Sequence, residues 1–161
     1  MTRSTPRRRN SNESSSEPLR VLALDYGSAR CGVAVCDPTE TVITPLQPVL
    51  RAGTRAGIGA LAALVAERGI ERVIVGLPLS LSGSDSAQTA EAREFARKLE
   101  RRLGASVPLA LHDERLTTRL AQRDPSRLAS EDSRAAAHLL EDWLARGAGA
   151  GSHARLPAAE A

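Results

Sequence analysis

Lysine is almost missing from this chain: of its 22 basic residues all but Lys98 are arginine. A Walker-type phosphate loop needs Gly-Lys-Ser/Thr, and the sequence has none, which excludes that class of nucleotide binding. A lysine Schiff base would have to use Lys98, inside the charged run Arg97-Lys98-Leu99-Glu100-Arg101-Arg102, a poor place for a desolvated amine. Cysteine is nearly as scarce. Cys31 and Cys36 stand five apart in an apolar stretch that reads as a strand, so they fall on opposite faces, roughly 16 Å apart along it. No disulfide can join them without destroying that strand. His112, His138 and His153 are scattered, and no zinc-binding spacing arises. Free thiols of this kind suit a reducing compartment, and a cytoplasmic location is expected. Long apolar runs are missing too: nothing approaches the length of a membrane span. Arg3 and Arg7–Arg9 lead into Asn-Ser-Asn-Glu-Ser-Ser-Ser rather than into the apolar segment of a signal peptide.

What is present suits one domain of a soluble globular protein, with 161 residues of which 42% are apolar and 25% charged. The net charge of +3 is confined to the start of the chain, where residues 1–20 hold five arginines against Glu13 and Glu17. The body is balanced and is no general polycation. Residues 1–18 have no apolar side chain after Met1 other than proline, and their Arg/Ser-rich composition predicts a disordered tail. Residues 147–161, opening Gly-Ala-Gly-Ala-Gly-Ser-His, read as a second flexible tail. Residues 19–146 are left as the folding unit.

Within that unit Val21–Asp25 reads as a strand, and Cys31–Asp37 as its hairpin partner across a turn at Gly27–Arg30. Thr41–Val49 reads as a third strand, kept to the sheet edge by Pro45 and Pro48. The period then changes. Ile58, Leu61, Ala62 and Val65 mark a helix that ends at Gly69. Val73–Leu77 is a strand, Ala92, Phe95, Ala96, Leu99 and Leu103 mark a helix ending at Gly104, and Leu109–Asp113 is a strand. Ala136, Leu139, Leu140, Trp143 and Leu144 stripe a last helix, with Trp143 in the core. The order β-β-β-α-β-α-β-α predicts an α/β fold on a mixed five-stranded sheet, antiparallel in its first half and parallel through right-handed crossovers in its second. The first strand sits centrally, and ligands of such sheets gather beyond the carboxyl ends of the parallel strands.

That geometry sorts the acids. Asp25 closes the first strand and Glu114 follows the last, so both reach the ligand edge, whereas Asp37 closes a strand running the other way. Asp132, four residues before Ala136 and seven before Leu139, falls on the inward stripe of the final helix, where a charge needs a capping role or a partner. Each acid has a plain structural alternative: a hairpin turn for Asp25, pairing with Arg115 for Glu114, and a favourable helix-dipole contact for Asp132. Three convergent carboxylates without lysine, cysteine or organised histidine are hard oxygen donors of the kind that suit Mg²⁺ or Mn²⁺. Such a cluster would hold two ions for in-line phosphodiester hydrolysis. Cys31 and Cys36 read as core. His112 shares a strand face with Glu114, yet a satisfied strand histidine explains it as well; Tyr26 fits packing under the turn as readily as stacking on a base.

Four ordered blocks carry a resemblance. Leu24-Asp25-Tyr26-Gly27 with Arg30, Gly32 and Val33-Ala34-Val35 is the first, and Val75-Gly76-Leu77-Pro78-Leu79 followed by Ser82-Gly83-Ser84 is the second. Asp113-Glu114-Arg115-Leu116-Thr117-Thr118 is the third, and Asp132 with Ala135-Ala136 and Leu139-Leu140 is the last. Together they resemble the YqgF-type family of Holliday junction resolvase-like pre-16S rRNA nucleases, within the RNase H-like superfamily. The resemblance implies an RNase H-like fold, a metal-dependent nuclease with Asp25, Glu114 and Asp132 as its acidic site, and pre-rRNA or a ribosomal particle as partner. Gly27 and Gly83 would let the backbone approach phosphate, and Arg30 and Arg115 would neutralise it. The stretch from Thr118 to Asp132 is shorter than the family's and lacks its lysines; Arg119, Arg123, Arg127 and Arg134 are the charges available instead. Branched DNA is the alternative substrate, and a non-catalytic RNA-binding factor on the same fold is a different class of function. An actin-like ATP-binding protein also opens with Asp-x-Gly, but it needs two domains, and this chain has residues for one.

Overall fold

Val21–Asp25 forms strand β1 in the computed structural model, which describes residues 19–80, 82, 84–114 and 130–147. Its first four residues are completely buried, so the strand is covered on both faces and shows no alternation in its sequence. Strand β2 (Arg30–Cys36) folds back on it with Leu22 opposite Val35 and Asp25 opposite Gly32. The chain continues through β3 (Ile43–Pro45), β4 (Val49–Leu50), α1 (Arg55–Glu67), β5 (Arg72–Leu77), α2 (Ala87–Leu103), β6 (Leu109–Asp113) and α3 (Glu131–Ala145). The strand order is β3-β2-β1-β5-β6, antiparallel on the β2 side of β1 and parallel on the β5 side. This central β1 and mixed sheet are the arrangement expected from the element order.

The third strand differs from expectation. Residues 41–49 do not form one edge strand; β3 and β4 pair separately with the two ends of β2, which makes six strands among the described residues rather than five. Pro45 and Pro48 have no amide hydrogen to give a ladder, so regular pairing lapses between them and only Leu46 N–H still reaches Val33 O, at 2.8 Å.

Each helix starts on a hydroxyl cap. Thr54 Oγ1 accepts from Gly57 N–H at 3.2 Å, and Ser130 accepts from Ser133 N–H at 3.2 Å. Ser86 and Thr89 form a reciprocal capping box, and the buried Thr89 hydroxyl also donates to Pro78 O at 2.6 Å, pinning α2 to the end of β5. At the other end of α2, Gly104 leaves the helix at φ 73°, a conformation that favours glycine.

The two sheet faces are packed differently. Leu22, Leu24, Val33, Val73 and Val75 meet α1 and α2 through Ile58, Leu61, Phe95 and Leu99. The opposite face presents Val21, Ala23, Ala34 and Ile74 to Ala136, Leu139, Leu140 and Trp143 of α3. Small side chains on that face let α3 lie close to the sheet. Cys31 belongs to the first layer and Cys36 to the second, so their opposite orientation holds. Asp37 stays at the far edge, where its carboxylate accepts from the N–H groups of Thr41 (3.0 Å) and Val42 (2.8 Å) and organises the turn into β3. No helix among the described residues is long and apolar enough to cross a membrane.

Candidate active site

Asp25 ends β1 on the sheet face that α3 covers, level with Gly32 on β2. Gly32 admits the helix: a β-carbon there would strike the backbone carbonyl of Asp132 and lie 3.0 Å from Ser133 N. The first turn of α3 is fixed in that slot by Ser133, which is fully buried and whose hydroxyl accepts from Val33 N–H at 3.3 Å. This corrects the reading of Asp132 as the inward residue of the helix. Ser133 faces the core, Ser130 is the cap, and Asp132 sits partly buried between them, beside Asp25. Helical geometry turns adjacent residues by about 100°, so one inward position in the first turn leaves its neighbour at the rim.

Glu114 arrives from the other side. It follows β6, whose register sets His112 beside Gly76 of β5, and its carboxyl lies against Gly76 and hydrogen-bonds to Asp25. The pair is largely withdrawn from water. Burial, then the charge of Asp25, then the hydrogen bond to Asp25, push the Glu114 carboxyl up to about 8, so near neutrality it carries a proton and donates it to Asp25. Asp25 is raised chiefly by burial; the bond from Glu114 opposes this, and the nearby charge of Asp132 adds to it. No arginine, lysine or histidine among the described residues pairs with any of these three acids.

Two half-buried carboxyls that share a proton, with no basic partner among the described residues, are a donor set that fits a divalent metal ion. Asp132 adds its charge from one side. Among the described residues no three acidic, histidine or cysteine side chains already form an ion cage.

The other expected site residues fall variously. Arg30 is exposed at the start of β2, on the rim. Gly27 sits in the β1–β2 turn without a positive φ; a β-carbon there would come within 2.5 Å of Arg30 O, so crowding by the chain itself explains this glycine. Gly83, Arg115, Arg119, Arg123 and Arg127 lie outside the described residues, as do the expected tails apart from Gly147. His112 is a satisfied strand histidine: its Nε2 is 2.7 Å from Asp142 Oδ2 on α3, and Arg146 Nε holds the same oxygen at 2.9 Å. Tyr26 turns to the opposite sheet face and stacks on Phe95, with ring centroids 4.5 Å apart. It lines a cavity of about 440 Å³ that also touches Ser28, Arg51 and Glu91. Cys31 is sealed in the core, and burial first, then the charges of Asp25 and Asp132, hold its thiol protonated.

Gly32 and Ser133 are the residues that sequence reasoning gave no role. Their signal was faint: a glycine inside an apolar strand marks close approach of another group, without saying which group.

The pattern of the family described as "RuvX: Holliday junction resolvase" matches residues 19–146. A protein of Koribacter versatilis (strain Ellin345) named "Putative pre-16S rRNA nuclease" is 43% identical over 104 residues, covering 65% of this chain and 67% of its own length. A protein of the same name from Maridesulfovibrio salexigens is 35% identical over 136 residues, covering 80% of this chain and 99% of its own. Among solved structures, T. thermophilus RuvC in complex with Holliday junction substrate superposes with a TM-score of 0.51 at 14% identity, covering 80% of this chain and 95% of that one. That likeness is one of fold, and it is RNase H-like.

Proposed function

This chain belongs to the RuvX family of Holliday junction resolvases, and from that membership we propose that it hydrolyses phosphodiester bonds of structured RNA, with pre-16S rRNA the substrate that its relatives' name supplies. The observation that carries the reading is the half-buried, hydrogen-bonded Asp25–Glu114 pair at the carboxyl edge of the parallel strands, with no basic partner among the described residues. Asp25, Glu114 and Asp132 are the residues that would hold divalent cations, Mg²⁺ or Mn²⁺, two ions being the expectation. Bound there, the cations supply polarisation of the phosphoryl oxygens and activation of water. To hold a cation there, Glu114 would release to solvent the proton that it donates to Asp25. Exposed Arg30 neutralises a phosphate at the rim, with Arg115 in the same role and Gly83 allowing close approach of the strand. Gly27 keeps the β1–β2 turn narrow beside Asp25. The products of this chemistry carry a 5′-phosphate and a 3′-hydroxyl. The protein works in the cytoplasm, where precursor rRNA is processed.

The test is cleavage of end-labelled precursor rRNA, a four-way DNA junction and single strands side by side, with Mg²⁺, Mn²⁺ or EDTA. Metal-dependent cutting of the precursor is the expected result. Preferential cutting of the junction would move the substrate to branched DNA, the reading that the family's description favours. Tight Mn²⁺ binding with no cleavage of any substrate would make the protein an RNA-binding factor.

A further inference from the structure

Gly76 interrupts the apolar run Val73-Ile74-Val75-Gly76-Leu77 of β5, and the four other residues of that run are all buried. Glycine inside a strand weakens it, and is kept where another group comes close to the backbone. Backbone conformation does not require it here: the described glycines with positive φ are Gly69, Gly104 and Gly147. Space does. A β-carbon built on Gly76 would fall on Oε1 of Glu114, 3.0 Å from its Cδ and 3.1 Å from Leu139 Cδ2. The Glu114 carboxyl thus occupies the place where any other residue carries its side chain. Register explains the address, since Leu24 is level with Val75 and the next step along both strands sets Gly76 beside Asp25.

We infer that Gly76 is a positioning residue of the acidic site: its missing side chain is the slot that seats the Glu114 carboxyl against Asp25. Leu139 of α3 also borders the slot, 3.1 Å from the place a β-carbon on Gly76 would take. Gly32, the matching glycine on the other side of Asp25, does different work. It accommodates helix backbone, which cannot yield, whereas Gly76 accommodates the far end of a flexible side chain. Substitution at Gly76 therefore displaces Glu114 and leaves the sheet in place. The inference rests on the proposed cation site for its consequence in metal binding, though not for the seating itself.

Four proteins test it: wild type, Gly76→Ala, Glu114→Ala and the double variant, each melted in EDTA and titrated with Mn²⁺ by calorimetry. In EDTA, Gly76→Ala should melt below wild type, while the same change in the Glu114→Ala background should be neutral or raise the melting temperature, because the slot is then empty. Gly76→Ala should bind Mn²⁺ about 10- to 100-fold more weakly, the usual effect of losing a group that orients a ligand. An equal melting loss in both backgrounds, or failure of both Gly76 variants to fold, would overturn the inference by showing that the glycine serves something other than Glu114. Unchanged Mn²⁺ affinity in Gly76→Ala would overturn its role in the site. A wild type that ignores Mn²⁺, with the melting coupling present, would sink the cation reading and uphold the seating.

Discussion

The Asp25–Glu114 hydrogen bond makes the site's charge state depend on what occupies it. Without a cation, Glu114 is held protonated well above the ordinary carboxylate range, so the folded protein binds this proton more tightly than the unfolded chain does. Stability from this group is complete below the unfolded value and is lost as pH rises through about 8. Melts in EDTA from about pH 5 to 9 should therefore fall with rising pH in wild type, with a flatter profile in Glu114→Gln. Cation binding must expel that proton, so Mn²⁺ affinity should strengthen over the same range. Asp25→Asn, Glu114→Gln and Asp132→Asn should each abolish cleavage. In EDTA near neutrality, Asp25→Asn and Asp132→Asn should melt at or above wild type, because one of two neighbouring charges is gone, while Glu114→Gln replaces a carboxyl that already carries a proton and should melt close to wild type; wild type alone gains strongly on adding Mn²⁺. A merely structural Asp132 predicts otherwise. With the capping role taken by Ser130, its helix-dipole contribution is about 0.3–1 kcal/mol, lost equally with and without metal. Equal Mn²⁺ shifts in wild type and Asp132→Asn would take Asp132 out of the site.

At the level of elements, the docking of α3 decides how near Asp132 comes to Asp25, and Ser133 sets that docking. Ser133→Ala leaves the buried Val33 N–H without an acceptor, at a cost of about 1–3 kcal/mol, readable as a lowered midpoint in urea. Recovery of full stability in Ser133→Ala would mean that the amide finds another partner. The placing of Asp25 and Glu114 was legible in the sequence because strand direction and the alternation of side chains are local properties. The slots at Gly32 and Gly76 were not, since each depends on which distant segment lies across the strand. Asp132 shows the limit of periodicity: spacing from Ala136 and Leu139 put it inward, yet the first turn is steered by its cap and by Ser133. The β3–β4 break was half legible. The prolines announced an edge, and only the pairing partner could show that β2 is long enough to hold two short strands.

For the molecule as a whole, charge is distributed by segment. Residues 1–18 contain Arg3, Arg7, Arg8 and Arg9 against Glu13 and Glu17, whereas the body is nearly balanced. Deleting them should leave the melting temperature nearly unchanged and lower the dependence of RNA affinity on salt, since each phosphate neutralised contributes a slope of about 0.7 for single strands. An unchanged slope would place the tail outside the binding surface.

The interrupted edge at β3 and β4 also bears on how this protein behaves in company. An unbroken, flat outer strand is a template on which a second chain can add its own, and here that margin also carries the exposed side chains of Val42 and Leu50. Pro45 and Pro48 deny an incoming strand the regular row of amide donors that such growth needs. Concentrated stocks should therefore stay clear on prolonged warming below the melting point. Replacing both prolines with threonine should bring turbidity and thioflavin binding well before any loss of the native far-ultraviolet spectrum. The same two residues that cost the sheet a full-length border keep it from being extended by its neighbours.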